Sequence, residues 1–178
     1  SLYTFFSLYL DSLGYGKTAV GLLWSVSAFM EILYFWQGSV WLRGVRPVRW
    51  LWWAAVLCVL RFAATAGAGQ YLPVLVLAQM LHAVTFAAQH SSCIALIAEF
   101  FPGRLRARGQ GLYAILGYGL SGVLGALGGG YLTEHLGFAS VFWAATASSV
   151  VAALCCRRLM HHLNQGHLSD ELRSEQGI

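Results

Sequence analysis

Six apolar runs, separated by short polar connections, make up most of this 178-residue chain. Their bounds are about 1–13, 18–42, 50–68, 72–100, 109–132 and 139–156. A helix that crosses the hydrocarbon core of a bilayer needs about 20 apolar residues. Because 58% of the residues are hydrophobic and only 10% are charged, the chain cannot cover an exterior with polar side chains. The pattern predicts an all-α integral membrane protein whose partner is the lipid bilayer.

The two ends of the chain differ from the runs between them. The first run is too short to cross a bilayer alone, and it begins without a charged leader, so we expect a truncated helix of a longer protein. Residues 159–178 are polar and are expected to form a cytoplasmic tail.

Positive charge is distributed unevenly between the connections. One side of the predicted membrane carries eight arginines: Arg43, Arg46, Arg49, Arg104, Arg106, Arg108, Arg157 and Arg158. The other side carries only Lys17. The positive-inside rule then predicts a multi-pass protein of the bacterial inner (plasma) membrane, with the arginine loops and the C-terminus in the cytoplasm. The net charge of +4 therefore reports orientation and does not indicate a nucleic-acid partner.

Three ionisable residues lie inside successive runs, namely Glu31, Arg61 and His82. At a rise of 1.5 Å per residue, they lie about 20, 12 and 15 Å from the ends of their helices opposite the arginine loops, near the middle of the membrane. Isolated charges there are costly and usually functional, and these three could neutralise one another. The alternative is an ion pair that only stabilises the helix bundle.

Further polar and aromatic residues share helix faces with these groups. In the fourth run, steps of three, four and three residues place four side chains on one stripe: Gln79, His82, Phe86 and Gln89. Tyr34 lies one turn beyond Glu31. We expect these side chains to line a wet cavity while the opposite faces meet lipid.

The fifth run is rich in small residues. One row repeats every four residues and consists of Gly117, Ser121, Gly125 and Gly129. Such rows allow close approach of helices and predict a packing face. Residues 119–122 also spell GLSG, a pattern found in intramembrane serine proteases, but no later run supplies the histidine that would activate Ser121. The sequence contains no dinucleotide, phosphate-loop or metal motif, so no cofactor or metal is expected.

The segments FMEILYF, VLRFAA and QMLHAVTF, which carry Glu31, Arg61 and His82, resemble the lactose permease branch of the major facilitator superfamily, including its phenylpropionic acid transporter-like members. The resemblance implies a fold of two six-helix halves, of which this chain is the C-terminal one. It implies a missing N-terminal half as partner, a small-molecule substrate between the halves, and proton-coupled alternating access. Glu31, Arg61 and His82 then match substrate-binding and proton-coupling positions.

Two departures from that family limit the comparison. Thr85 stands where lactose permease has a coupling glutamate, and the loop RGVRPVR lacks the aspartate of the usual gating motif. We therefore expect Glu31 to be the proton-responsive carboxylate, although coupling could reside in the other half. The expected function is a symporter for small organic solutes, with aromatic or other organic acids favoured. The alternatives are a sugar or nucleoside symporter of the same fold and a non-transporting membrane scaffold.

Overall fold

The computed structural model describes residues 2–41 and 44–175, and within these ranges the chain is helical without strands. We number six helices in chain order. They are α1 (Leu2–Ser12), α2 (Lys17–Trp41), α3 (Pro47–Ala68), α4 (Leu72–Phe100), α5 (Gly103–Leu136) and α6 (Ala139–Glu175). The six expected runs therefore correspond to six helices, of which α1 has only eleven residues.

Proline and glycine set most of the helix boundaries. Pro47 occupies the first turn of α3, where its missing N–H costs nothing. Pro102 follows the end of α4. Gly14 and Gly137 have φ values of +85° and +80°, a conformation that other residues rarely adopt, and they turn the chain between α1 and α2 and between α5 and α6.

Two helices contain a π-helical segment that the sequence did not predict. In α4 it spans Ala83–Ala88, between α-helical parts at Leu72–Met80 and Gln89–Phe100. In α5 it spans Ile115–Leu120, between Arg106–Ala114 and Ser121–Leu136. A π turn is less favourable than an α turn, and such turns occur frequently at functional sites.

The largest buried cluster lies at the end of the bundle away from the arginine loops. There α1 contributes three side chains that pack against α2, α3, α4 and α6, with Phe6, Tyr9, Leu10, Leu23, Ala66, Leu75 and Phe142 as members. Tyr9 also donates a hydrogen bond to the Thr65 carbonyl at 3.0 Å. Short as it is, α1 therefore joins the other helices at this end.

The exterior suits a lipid environment. Five helices are long and apolar enough to cross a membrane among the residues described, with α1 as the shorter sixth. Large apolar side chains face outwards, and Trp36 and Leu127 are 79% and 70% exposed. The positions of these side chains agree with the predicted integral membrane fold.

The last helix differs from its predicted extent. A span was expected to end near residue 156 and a polar tail to follow from 159, but α6 continues to Glu175. Polar residues end the apolar pattern without ending the helix, because no proline interrupts 157–175. Asn164 on this extension accepts a hydrogen bond from Arg46 at 3.0 Å, which places the extension beside the α2–α3 connection.

Candidate functional site

Glu31 of α2 and His82 of α4 form a direct contact inside the bundle. His82 Nε2 lies 2.8 Å from Glu31 Oε1. His82 is only 4% exposed, whereas the Glu31 side chain is 28% exposed. A hydrogen bond between an imidazole nitrogen and a carboxylate oxygen contains one proton, which either group can carry. The pair is thus a site at which a proton can reside within the membrane.

Arg61 of α3 reaches the same region of α4. Its Nη1 donates a hydrogen bond to Thr85 Oγ1 at 3.1 Å, and the Thr85 hydroxyl lies 3.0 Å from the Leu81 carbonyl of its own helix. Arg61 is also close enough to Glu31 and His82 to act on both electrostatically. The three ionisable residues predicted from the sequence therefore converge. The sequence identified Thr85 only as a departure from the family, not as a partner of Arg61.

A central cavity of about 230 Å³ opens beside these groups. Five helices contribute aromatic side chains to its wall, namely Phe6, Trp24, Phe62, Phe86 and Phe142. Phe6 contacts Trp24 and Phe142 edge-on, with ring centroids 5.5 and 6.2 Å apart. The sequence suggested Phe86 for this role but not the other four aromatic residues. These four lie on other helices, and sequence periodicity does not show how one helix is rotated against another.

The polar part of the central cavity comes from α3 and α4. The predicted stripe of α4 lies along it with all four members, Gln79, His82, Phe86 and Gln89. Thr85 of α4 and Cys58, Arg61 and Thr65 of α3 also line it. Phe86 stacks on the His82 imidazole, with centroids 5.3 Å apart and an interplanar angle of 8°. The cavity therefore combines a guanidinium, an imidazole and two amides with aromatic walls.

Tyr34, expected to line the cavity, lies elsewhere. It is 7% exposed and packs in a cluster with Ala83, Ala87 and Ala88, away from the residues that line the central cavity. The small alanine side chains of α4 leave room for the phenol ring between α2 and α4. Tyr34 lies one turn beyond Glu31 on α2, and this short distance is enough to place its side chain in the packed interface between α2 and α4.

The small-residue row of α5 has two different environments. Ser121, Gly125 and Gly129 line a second cavity of about 810 Å³ between α3, α4, α5 and α6, and Gly117 is exposed. Gly129 alone of the row is buried, and it packs against the Phe5 ring of α1. Ser121 donates a hydrogen bond to the Gly117 carbonyl. The contact of Gly129 with Phe5 thus packs this end of the row against α1.

A second polar cluster joins α4 to α5. His90 Nδ1 lies 2.9 Å from the Tyr118 hydroxyl and 3.3 Å from that of Tyr113, and Phe86 and His90 are stacked with centroids 6.5 Å apart. Tyr118 belongs to the π segment of α5. His90 is a polar residue within the fourth apolar run, but its two tyrosine partners are on another helix and gave no signal of their own.

Comparison with known proteins identifies relatives of this arrangement. The MFS_1 like family matches residues 1–144, a range that includes every residue of the central cavity. A protein of Escherichia coli (strain K12) named "Probable 3-phenylpropionic acid transporter" is 31% identical over 141 residues, which cover 79% of this chain and 36% of that relative. The matched part of this chain thus spans about a third of the relative's length. No solved structure gives a significant match.

Proposed function

This chain belongs to the MFS_1 like family, and from that membership we propose that it forms the C-terminal six-helix half of a proton-coupled secondary transporter. The family match confirms the resemblance to major facilitator proteins. In the proposed arrangement a second six-helix half supplies the opposite wall of the substrate site. The arginine loops and the C-terminus face the cytoplasm of a bacterial cell, and the bundle lies in the inner membrane.

We propose an aromatic carboxylic acid as the substrate. The observation that carries this proposal is the presence of Arg61 and five aromatic side chains in one cavity. A guanidinium binds a carboxylate through charge-assisted hydrogen bonds, and aromatic walls pack against a ring. The cavity volume of about 230 Å³ is below the roughly 300–1,000 Å³ of most ligand pockets. This volume suits a small solute. The name of the E. coli relative supports the same substrate class.

The sugar or nucleoside alternative depends on the hydrogen-bonding side chains of the cavity and makes no use of its positive charge. Gln79, Gln89 and His82 could bind hydroxyls, and aromatic rings can also pack against sugar faces. A carboxylate, however, can bind the Arg61 guanidinium through charge-assisted hydrogen bonds, whereas a neutral sugar offers it only uncharged oxygens. The aromatic acid therefore fits the charge of this cavity better.

Proton coupling is proposed to occur at the Glu31 and His82 pair. Arg61 acts electrostatically on Glu31, so it stabilises the ionised carboxylate. When the substrate carboxylate binds Arg61, it competes for that positive charge, and Glu31 then takes up a proton. Substrate and proton are in this way bound together, and release of the substrate restores the interaction of Arg61 with Glu31 and favours release of the proton. The alternative, in which coupling resides in the other half, predicts no such dependence on Glu31.

A non-enzymatic role is proposed for the GLSG segment. The Ser121 hydroxyl donates to the Gly117 carbonyl, and the described residues that line the cavity beside it include no histidine. A serine nucleophile needs an adjacent base. Ser121 is therefore assigned to the helix backbone contact and not to catalysis.

Uptake of labelled 3-phenylpropionate by cells that produce the full-length protein tests the proposal. We expect unlabelled aromatic carboxylates to compete, and lactose and uridine not to compete. Arg61→Gln should lower the uptake about tenfold or more, because a charge-assisted hydrogen bond is lost, whereas Arg158→Gln at an exposed position should not. Uptake of labelled lactose or uridine, with none of labelled 3-phenylpropionate, would favour the sugar or nucleoside alternative. Normal uptake after neutral substitution of both Glu31 and Arg61 would favour a scaffold role.

A further inference from the structure

Gln79 has an unusual environment in the central cavity. Its side chain lies on the cavity wall and the residue is only 1% exposed. Its Oε1 atom is buried and accepts no hydrogen bond from the described residues. Buried polar groups are nearly always paired in folded proteins. Because Gln79 lines the cavity and its buried carbonyl has no partner in the described part of the chain, a donor on a ligand beside it can supply the missing hydrogen bond.

The position of Gln79 indicates which part of a ligand it would meet. Gln79 is one turn from His82, on the side away from the arginine loops, and one turn from Leu75 of the large buried cluster. Phe6 and Phe142 of that cluster also line the cavity. A substrate whose carboxylate binds Arg61 can place its ring among these aromatic side chains. Gln79 then lies beside the ring and not beside the carboxylate.

The charge of the site restricts the chemistry of the donor. An ammonium group on the ring would be repelled by Arg61, which acts on charges across this region. A neutral hydroxyl carries the donor that Oε1 needs without adding charge. The nearby Thr65 hydroxyl already donates to the Arg61 carbonyl at 2.9 Å. Gln79 is thus the polar side chain best placed to bind a ring hydroxyl.

We infer that Gln79 is a specificity-determining residue that selects ring-hydroxylated aromatic acids over their unsubstituted parents. This inference rests on the aromatic-acid function proposed above and adds the substituent that the site recognises. The discrimination arises because a parent acid leaves the buried carbonyl without a donor, whereas a hydroxylated acid satisfies it. A site that binds a hydroxyl discriminates against analogues that lack it, because its own polar group is then left unpaired.

The test compares 3-phenylpropionate with its 3-hydroxyphenyl and 4-hydroxyphenyl derivatives as competitors of labelled 3-phenylpropionate uptake by the full-length protein. The measured quantity is the ratio of half-inhibitory concentrations of parent and derivative, which does not depend on the amount of transporter. For wild type we expect at least one derivative to be preferred by about threefold to tenfold, the effect of one neutral hydrogen bond. In Gln79→Leu the ratio should fall to about one.

A second variant and a control keep the test independent of folding. Gln79→Met keeps the length and flexibility of the side chain and should lose the preference in the same way. Gln70→Leu changes an exposed glutamine in the turn before α4 and should retain it. A wild-type ratio near one for both derivatives, or an unchanged ratio in a transporting Gln79 variant, would overturn the inference while uptake of aromatic acids left the proposed function intact. If wild type takes up no labelled 3-phenylpropionate, both fail.

Discussion

Arg61 and Thr85 form a hydrogen bond of 3.1 Å between α3 and α4, with the guanidinium as donor. Lactose permease, which this chain resembles, has a glutamate at the position of Thr85, and such a carboxylate would both orient and neutralise an arginine. Threonine orients the guanidinium without cancelling its charge. That difference suits a site in which the arginine must bind an anionic substrate.

Removal of the Thr85 hydroxyl should weaken substrate binding through Arg61. We expect Thr85→Val to raise the concentration of 3-phenylpropionate at half-maximal uptake about threefold to tenfold, because one hydrogen bond that positions the guanidinium is lost. The maximal rate should change less, since Thr85 does not carry the proton. Thr85→Ser keeps a hydroxyl at this position and should restore the wild-type value. Equal values for Thr85→Val and wild type would mean that Thr85 does not position Arg61.

An acidic residue at position 85 should neutralise the positive charge of Arg61. We expect Thr85→Glu to abolish uptake of aromatic acids, because the new carboxylate pairs with Arg61 and excludes the anionic substrate. Thr85→Gln has almost the same size but no charge, so it separates the electrostatic effect from crowding. Comparable loss in both variants would point to crowding at position 85 and against an electrostatic role of the Arg61 charge in substrate binding.

Glu31 is predicted to be required for accumulation and not for binding. Glu31→Gln should abolish proton-driven accumulation against a gradient while exchange of labelled for unlabelled substrate continues. The amide can neither take up nor release a proton, so the carboxylate that is proposed to respond to the substrate is lost. Glu99→Gln, an exposed position near the end of α4, serves as the control and should accumulate substrate normally. Accumulation by Glu31→Gln at the wild-type level would place coupling elsewhere.

Two adjacent glycines of α5 should differ in their tolerance of alanine. A Cβ at position 129 would overlap the Phe5 ring, whereas a Cβ at 130 would meet no atom within 4 Å. We expect Gly129→Ala to destabilise the protein by about 1–3 kcal/mol, as overpacking does. Gly130→Ala should be neutral or stabilising, because alanine favours a helix more than glycine does. Thermal unfolding of the purified full-length variants in detergent measures both, and equal midpoints would argue against the contact of α1 with α5.

The 178-residue chain by itself is predicted not to transport. Substrate sites of transporters built from repeats lie between the repeats, so half of the site's wall would be absent. Proteoliposomes that contain only this chain should therefore take up no labelled 3-phenylpropionate, whereas those with the full-length protein should. Uptake by the chain alone would require two copies to face each other, which crosslinking would detect.

The depth of the ionisable residues could be predicted because it depends on only one number. The rise per residue is the same in every α-helix, so Glu31 and His82 could be placed at one level from their distances to the helix ends. Their contact of 2.8 Å also requires α2 and α4 to be neighbours, which the sequence pattern alone did not give. The resemblance to the family also rests on these positions, because it depends on Glu31, Arg61 and His82 lying in three successive runs.

Features that depend on the rotation of one helix against another could not be predicted in this way. Tyr34 was assigned to the cavity from its spacing to Glu31. Its ring instead packs against the small alanine side chains of α4, in the interface between α2 and α4. Phe142 of α6 lines the cavity although it is distant in sequence from the other lining residues. Periodicity gives the face that a residue shares with others on its helix, but not the partner that this face meets.

The π segment at 83–88 has a consequence for comparing this chain with its relatives. A π turn contains one residue more than the α turn it replaces, so the parts of α4 before and after it do not share one helical wheel. A relative that lacks this residue would keep its counterparts of Gln79 and His82 in place but rotate those of Gln89 and His90 by about 100°. Sequence alignments of this helix should therefore allow a single-residue gap inside the membrane, where gaps are ordinarily penalised.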